Sequence, residues 1–378
     1  MKKVVIVMPT YNEAKNIDRM LKVLVGKEFS KIKEAEMHLL VVDGNSPDGT
    51  SKIVEDYQKK NKKVHLIIEK EKRGLGMAYV TGFKYALTKI KADAVMEMDA
   101  DFQHPPRFVK PMVEAYLAGA EYVIGSRYIK GGSVPDDWAF TRKAISFFGN
   151  LFIRLVLLKP KLHDLTTGFR LTSKEVLKDI DLDNLMEPKR FAYKVDLLYQ
   201  SVKNSSKTVE VPLAFANRTE EKSKFSTKEM IATFKVAIIL GIKDKIRFLK
   251  FATVGFIGYA INAIGIEVFS RVFGFTANWS AGSAAELSII SNFLFNNFWT
   301  FSDKRPNSLS KLIMKFLQFN FTSLGAIVVQ FIVVGGAAHF FGDTTLVRQL
   351  ALVISIAFII VPMNYAIYNL IIWKTPKK

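Results

Sequence analysis

The feature that most restricts what this 378-residue chain can fold into is the uneven spread of charge along it. From Lys245 onward there are 12 Lys and Arg and 4 Asp and Glu, against 42 and 31 in the first 244 residues. The charge-poor part consists mainly of apolar stretches at 248–273, 281–301, 312–341 and 346–373. Each reaches or exceeds the roughly 20 residues that a helix needs to cross a bilayer. Backbone polar groups in lipid must be satisfied internally, so these stretches predict an all-α domain of four membrane-spanning helices. Segments 302–311 and 374–378 are basic, whereas 274–278 and 342–345 are not, and positive-inside logic places both termini in the cytoplasm. No signal peptide precedes Lys2, which agrees with a cytoplasmic N-terminal domain.

The first 244 residues read differently. A β-branched run at 4–8 is followed by a loop, then by Ile17, Met20, Leu21 and Leu24 at helical spacing. The plan repeats from 39–42 into a helix with Ile53, Val54 and Tyr57, and from 64–68 into a helix over 79–87. A fourth strand at 93–98 runs out into DADFQHPP at 99–106. Four β-then-α units predict an α/β domain with a mostly parallel sheet covered on both faces. Ligands of such sheets sit at the carboxyl ends of strands, which puts Asp99 and Asp101 on the rim of a crevice. One residue apart, their carboxylates suit a shared Mg²⁺ or Mn²⁺, ions that take oxygen ligands and leave room for substrate phosphates. The Gln103 amide adds a third oxygen. A bare D-x-D elsewhere often only caps the next segment, so the rest of the chain decides between the two readings.

The formal net charge of +19 calls for anionic partners. No nucleic-acid motif is present, which leaves phosphate substrates and an acidic membrane face. The absence of Cys excludes disulfides and thiolate metal sites. In the segment 142–158, Arg142, Ser146, Gly149, Asn150 and Arg154 form one stripe at helical spacing, with phenylalanines and aliphatic residues around the remainder. Two placements suit that surface: a helix at the bilayer interface with its stripe toward the site, or a buried core helix. A stretch at 226–240 reads as a second interfacial helix.

Six motifs, PTYNE at 9–13, VVDGNSPDGT at 41–50, RGLGMAY at 73–79, DADFQHPP at 99–106, GSRY at 125–128 and DLTTGFR at 164–170, follow one another as in the inverting family 2 glycosyltransferases of GT-A fold. Within that family the chain resembles most the dolichol-phosphate mannose synthases, over roughly residues 1 to 230. The resemblance implies transfer of mannose, with inversion, from GDP-mannose to dolichyl or another polyprenyl phosphate, giving dolichyl β-D-mannosyl phosphate at the cytoplasmic face. It implies that Pro9, Tyr11 and Glu13 line the base and ribose pocket, with Val42 and Asp43 at the base. Asp99 and Ala100 would meet the nucleotide sugar, and Asp101 and Gln103 would hold Mg²⁺ or Mn²⁺. Arg127, Arg218 and Lys224 would bind donor phosphates, and Arg127, Arg142 and Ser146 the acceptor phosphate; guanidinium forks and ammonium groups suit phosphate oxygens. Asp99, Asp101 and Arg127 are the expected catalytic set. Asp164 has an acceptor-side or a structural role, since an anionic acceptor needs no general base. Asp48 reads as a turn and helix cap and stays outside the site.

Gly44 replaces the second of two adjacent aspartates usual in the family, which keeps UDP-glucose open as donor. The apolar part resembles the GtrA-like family in KFATVGFIGYAIN at 250–262 and NFLFNNFWTF at 292–301. Its Glu267, Glu286, Asn292, Asn296 and Asn297 are expected to face the bundle interior, for packing and homo-oligomerisation or for moving a lipid-linked sugar. A binding or translocation module is the alternative of a different class. The expected domains are 1–225, a linker helix at 226–245 and 246–378.

Overall fold

Val4–Met8 in β1 (Lys2–Thr10) are fully buried, and the period of two sends them to opposite faces of a sheet. Val4, Ile6 and Met8 pack with Ile17, Met20 and Leu21 of α1 (Ala14–Val23), while Val5 and Val7 pack with Tyr79 and Phe83 of α3 (Leu75–Tyr85). That is why the strand reads as one continuous apolar run. The computed structural model describes residues 1–217, 227–275, 277–306, 308–342 and 345–373, which divide into two units, Met1–Ile242 and Lys243–Lys378.

The first unit holds a seven-stranded sheet in the order β3-β2-β1-β4-β6-β5-β7. Here β2 is Ala35–Asp43, β3 Val64–Ile68, β4 Ala94–Glu97, β5 Tyr122–Ser126, β6 Arg170–Ser173 and β7 Thr208–Pro212. α1 and α2 (Thr50–Lys60) step the chain outward from β1 to β3, and α3 then returns it across the sheet to β4 on the other side of β1. The order thus reverses beside β1, and the carboxyl ends of β1 and β4 flank the crevice that such a switch point opens. α4 (Val109–Leu117) leads to β5. All neighbouring strands run parallel except β6, which lies antiparallel between β4 and β5 with Arg170 opposite Glu97. The reversal brings the start of β6, and the loop before it, to the end of the sheet where β4 finishes.

α5 (Phe140–Val156) settles the choice left open by its sequence: Phe147, Phe148 and Leu155 are more than half exposed, and only Asn150 and Ile153 are buried. It is not a core helix. α6 (Lys174–Lys178) and α7 (Tyr193–Asn204) follow β6. The first turns of α8 (Thr227–Arg271) have a buried side that the sequence did not show: Ala232, Val236, Ala237 and Leu240 join Ile153 of α5 and Val195 and Leu198 of α7 in a third buried cluster. Ile231, Ile238, Ile239 and Ile242 remain exposed on the outer side.

The second unit is helical, with α9 (Ala277–Phe295), α10 (Leu309–Phe341), α11 (Thr345–Ile354) and α12 (Val361–Ile367). Among the described residues, Lys245–Arg271 and Ser355–Ile372 are long and apolar enough to cross a membrane. Phe251, Phe293, Phe301, Phe319, Tyr368 and Trp373 make its aromatic core, in which the Phe301 and Trp373 rings stack at 4.4 Å. Asn296 and Asn297 are buried there, and Trp373 Nε1 donates to Asn297 Oδ1 at 3.4 Å. Glu267 and Glu286 depart from their expected interior positions: both are exposed, and Glu267 pairs with Arg271 at 2.6 Å.

Candidate active site

The ends of β1 and β2 are tied together by Asp43. Its buried carboxylate accepts bonds from Thr10 Oγ1 at 2.8 Å, from the Ser46 amide at 2.8 Å and from Ser46 Oγ at 2.7 Å. The strand register sets Pro9 opposite Val42. Lys72 Nζ lies 3.9 Å from the centre of the Tyr11 ring. A Cβ on Gly44 would meet Tyr11 Cδ2 at 3.4 Å and Lys72 Cβ at 3.6 Å, ordinary contacts, so the backbone here does not demand glycine. Glu13 Oε2 accepts from Asn16 Nδ2 at 2.9 Å, and the Glu13 amide donates to Thr50 Oγ1 at 3.0 Å. Asp48 accepts from the amides of Ala14 and Thr50 and from Thr50 Oγ1, which is the capping role read from its sequence.

At the end of β4, Tyr79 donates its hydroxyl proton to Asp99 Oδ1 at 3.0 Å, and the Asp99 amide donates to His104 Nδ1 at 3.2 Å. Accepting at Nδ1 requires a neutral imidazole with its proton on Nε2. Burial, outweighing the attraction of Asp99, lowers the His104 pKa to about 4 and keeps the ring neutral. Asp101 Oδ1 accepts from the Gln103 amide at 3.1 Å across Phe102, whose φ of 62° is left-handed, and both Asp101 and Gln103 are buried. Ala100 is buried between the two aspartates.

Arg127 and Asp164 form a buried pair. Arg127 Nε and Nη2 donate to the two Asp164 oxygens at 2.7 and 2.8 Å, and the Arg127 amide adds a third bond at 3.0 Å. Burial pushes the Asp164 pKa up, but the Arg127 charge and these bonds prevail and hold it below the ordinary carboxylate value. A carboxylate so engaged is a poor proton acceptor, and the structural reading of Asp164 is the one its geometry favours. Arg127 Nη2 also donates to Thr166 Oγ1, which accepts from Asn150 of α5 as well. The two sides meet at His104, which stacks on Phe169 at 5.1 Å and takes the edge of Phe215 at 5.6 Å, while the Arg127 guanidinium lies 5.3 Å from the same Phe215 ring.

Farther along α5, Ser146 Oγ accepts from the Tyr128 hydroxyl at 2.6 Å. Arg142, one turn earlier on the same face, lies 3.7 Å over the Trp138 ring. Arg218 and Lys224 lie outside the described residues.

Sequence reasoning passed over Tyr79 and Lys194. Gly74, at φ 108°, and Gly76 exist because segment 188–193 packs on them: a Cβ would come 2.6 Å from Lys189 O at Gly74 and 2.5 Å from Pro188 O at Gly76. This contact seats the start of α7, so that Lys194, fully buried, brings Nζ to 4.0 Å from Asp99 Oδ1. A lysine inside the apolar run FAYKV was the available signal. Nearby, buried Glu97 accepts from the Tyr193 hydroxyl at 3.0 Å, and burial raises its pKa in spite of Arg170 and Lys194.

The donor set fits a hard divalent ion. Asp99, Asp101 and Gln103 offer oxygen, the donor type that such an ion takes, while among the described residues no group of three or more His, Cys, Asp or Glu is placed to hold a metal ion. Two carboxylates and an amide are the kind of oxygen donors that a hard divalent ion shares with a diphosphate.

Residues 5–181 match the family described as glycosyl transferase family 2, and residues 250–373 match the GtrA/DPMS transmembrane domain. A dolichol-phosphate mannosyltransferase from Pyrococcus furiosus is 33% identical over 340 residues, covering 88% of this chain and 89% of that protein. A polyprenol monophosphomannose synthase from Mycolicibacterium smegmatis is 36% identical over 237 residues, 62% of this chain and 86% of that protein. Among solved structures, mannosyl-3-phosphoglycerate synthase from Rubrobacter xylanophilus covers 65% of this chain and 74% of its own, with a TM-score of 0.45 and 15% identity. Similarity to the Pyrococcus protein runs through both units, and with it the chain belongs to glycosyl transferase family 2, as a glycosyltransferase whose catalytic domain precedes a GtrA/DPMS membrane domain.

Proposed function

We propose that the chain transfers mannose from GDP-mannose to dolichyl or a related polyprenyl phosphate, with inversion, at the cytoplasmic face of the membrane. The carrying observation is that a relative named dolichol-phosphate mannosyltransferase aligns over 88% of this chain, membrane domain included. The acceptor phosphate oxygen attacks the anomeric carbon, the bond from that carbon to the diphosphate breaks, and GDP leaves with the electron pair. The acceptor is already anionic, so no residue has to remove a proton.

Asp101 and Gln103, with Asp99, would hold Mg²⁺ or Mn²⁺. When bound, the ion neutralises the diphosphate and stabilises charge on the departing GDP. Pro9, Tyr11 and Glu13, with Val42 and Asp43, would form the nucleotide pocket, Asp43 by fixing the loop that follows β2. Asp99 and Ala100 would adjoin the sugar. Arg127, buttressed by Asp164, would lie between the donor phosphates and the acceptor phosphate, with Arg142 and Ser146 on the acceptor side. The exposed apolar side of α5 would rest on lipid and deliver a polyprenyl head to that stripe. In this reading the second unit spans the bilayer four times with both termini cytoplasmic, and the bundle offers a surface for homo-oligomerisation.

The deciding experiment offers radiolabelled GDP-mannose and UDP-glucose in parallel to purified protein with dolichyl phosphate and Mn²⁺, with Asp101→Ala as control. Mannose transfer that disappears in the variant is the expected outcome. Glucose transfer alone would overturn the donor, and transfer of neither sugar would shift the reading to a lipid-linked sugar binding or translocation module.

A further inference from the structure

We propose that Lys194 is an internal counter-charge to Asp99, a positioning residue that keeps the acidic cluster from retaining a divalent cation until a nucleoside diphosphate arrives with it. The inference rests on the metal-assisted reading above and adds to it a residue outside the six motifs.

Lys194 is 0% exposed and, among the described residues, its Nζ has no hydrogen-bond partner. A buried cation in that condition is costly unless charge or a polarisable surface compensates it. Here the compensation is Asp99 Oδ1 at 4.0 Å together with the faces of Phe191 at 5.0 Å and Tyr79 at 5.5 Å. The loop before β6 comes close here: a Cβ on Gly168 would lie 2.1 Å from Nζ, so a side chain at 168 would displace the ammonium from its present position. Arg170 Nη1 bonds the Lys194 carbonyl at 2.5 Å and fixes the turn from which the side chain extends. Glu97, the other carboxylate close by, accepts from Tyr193 and is attracted first by Arg170 and then by Lys194, so Lys194 faces two carboxylates, of which Asp99 is the one within 4.0 Å of Nζ.

The consequence follows from charge. Asp99 and Asp101 alone would present two negative charges to a dication, and Lys194 cancels one of them from behind. The protein then offers a shell that is weak in charge as well as incomplete in ligands, and the diphosphate supplies what is missing. Fully buried, Lys194 does not touch the substrate; it acts through Asp99.

The test measures Mn²⁺ affinity by electron paramagnetic resonance on the full chain in detergent, with and without GDP, for wild type, Lys194→Gln, Lys194→Met and Asp101→Asn. Wild type is expected to bind Mn²⁺ weakly alone and far more tightly with GDP. Removing a unit charge this close to the site should tighten binding without GDP on the order of tenfold in both Lys194 variants. The nearly isosteric Met variant serves if Gln disturbs folding, and melting temperatures without metal check both. Lys194 variants whose Mn²⁺ affinity alone matches wild type would overturn the inference and leave the function intact. So would a wild-type protein that binds Mn²⁺ equally well with and without GDP, whatever the variants do. No Mn²⁺ binding in any form, even with GDP, would remove the metal from the proposed function and the inference with it.

Discussion

His104 makes the α/β unit acid-sensitive through a single ring. Its folded pKa of about 4 lies below the ordinary value of 6.5, so between these pH values the unfolded chain binds the extra proton and the folded chain does not. Stability therefore rises with pH through this window and falls on acidification, by about 3 kcal/mol in all at 1.36 kcal/mol per unit. The melting temperature of the first unit should drop between pH 7 and pH 5, and His104→Asn should flatten that slope. An unchanged slope in the variant would assign the sensitivity elsewhere. Asp164 answers differently: Asp164→Ala leaves the buried Arg127 guanidinium without its carboxylate, a loss of about 3–5 kcal/mol. Denaturant unfolding of that variant should show a large destabilisation, where a purely chemical role would leave stability near wild type. The sequence displayed Asp99, Asp101 and Gln103 because they are local to one loop. It did not display the Arg127–Asp164 pair, which depends on β6 being laid backwards in the sheet, or the approach of Lys194 to Asp99, which depends on segment 188–193 packing on Gly74 and Gly76.

At the level of elements, helical periodicity made the outer face of α5 readable, and Phe147 and Phe148 are exposed as that face requires. The same reasoning applied to 226–240 recognised a helix but not its buried side. Its four core residues find partners on α5 and α7, far away in sequence, and spacing alone does not tell lipid from protein as the cover for an apolar stripe. Replacing Phe147 and Phe148 together by Ser removes apolar area and leaves Arg142 and Ser146 in the sequence, though Phe147 also packs edge to face with Tyr128, the donor to Ser146. In a vesicle assay the expected result is a KM for long-chain polyprenyl phosphate raised several-fold, with the KM for the donor unchanged. An equal rise in both would mean that α5 supports the catalytic unit in general rather than the lipid acceptor. The antiparallel β6 escaped the sequence altogether, because four residues between two loops carry too short a pattern to give direction.

For the whole molecule, the contrast between a charged first part and an apolar last part was legible from composition, and the division falls between Ile242 and Lys243. A protein ending after Arg271 keeps the entire α/β unit and the span Lys245–Arg271. It should still transfer sugar to a short-chain polyprenyl phosphate in detergent at a rate within about tenfold of the full chain, since no step of the proposed displacement uses later residues. Loss of all transfer would make the remaining helices part of catalysis. Within the first unit, β1 to β4 carry the proposed donor pocket, α5 and the loop leading into β6 the proposed acceptor side, and Arg127 after β5 the one group proposed to serve both. The paired strands β4 and β6, with Glu97 opposite Arg170, are the seam between these halves. A chain built this way can change its sugar donor and its lipid acceptor in separate evolutionary steps, and chimaeras cut on either side of that seam are the natural means of retargeting one without the other.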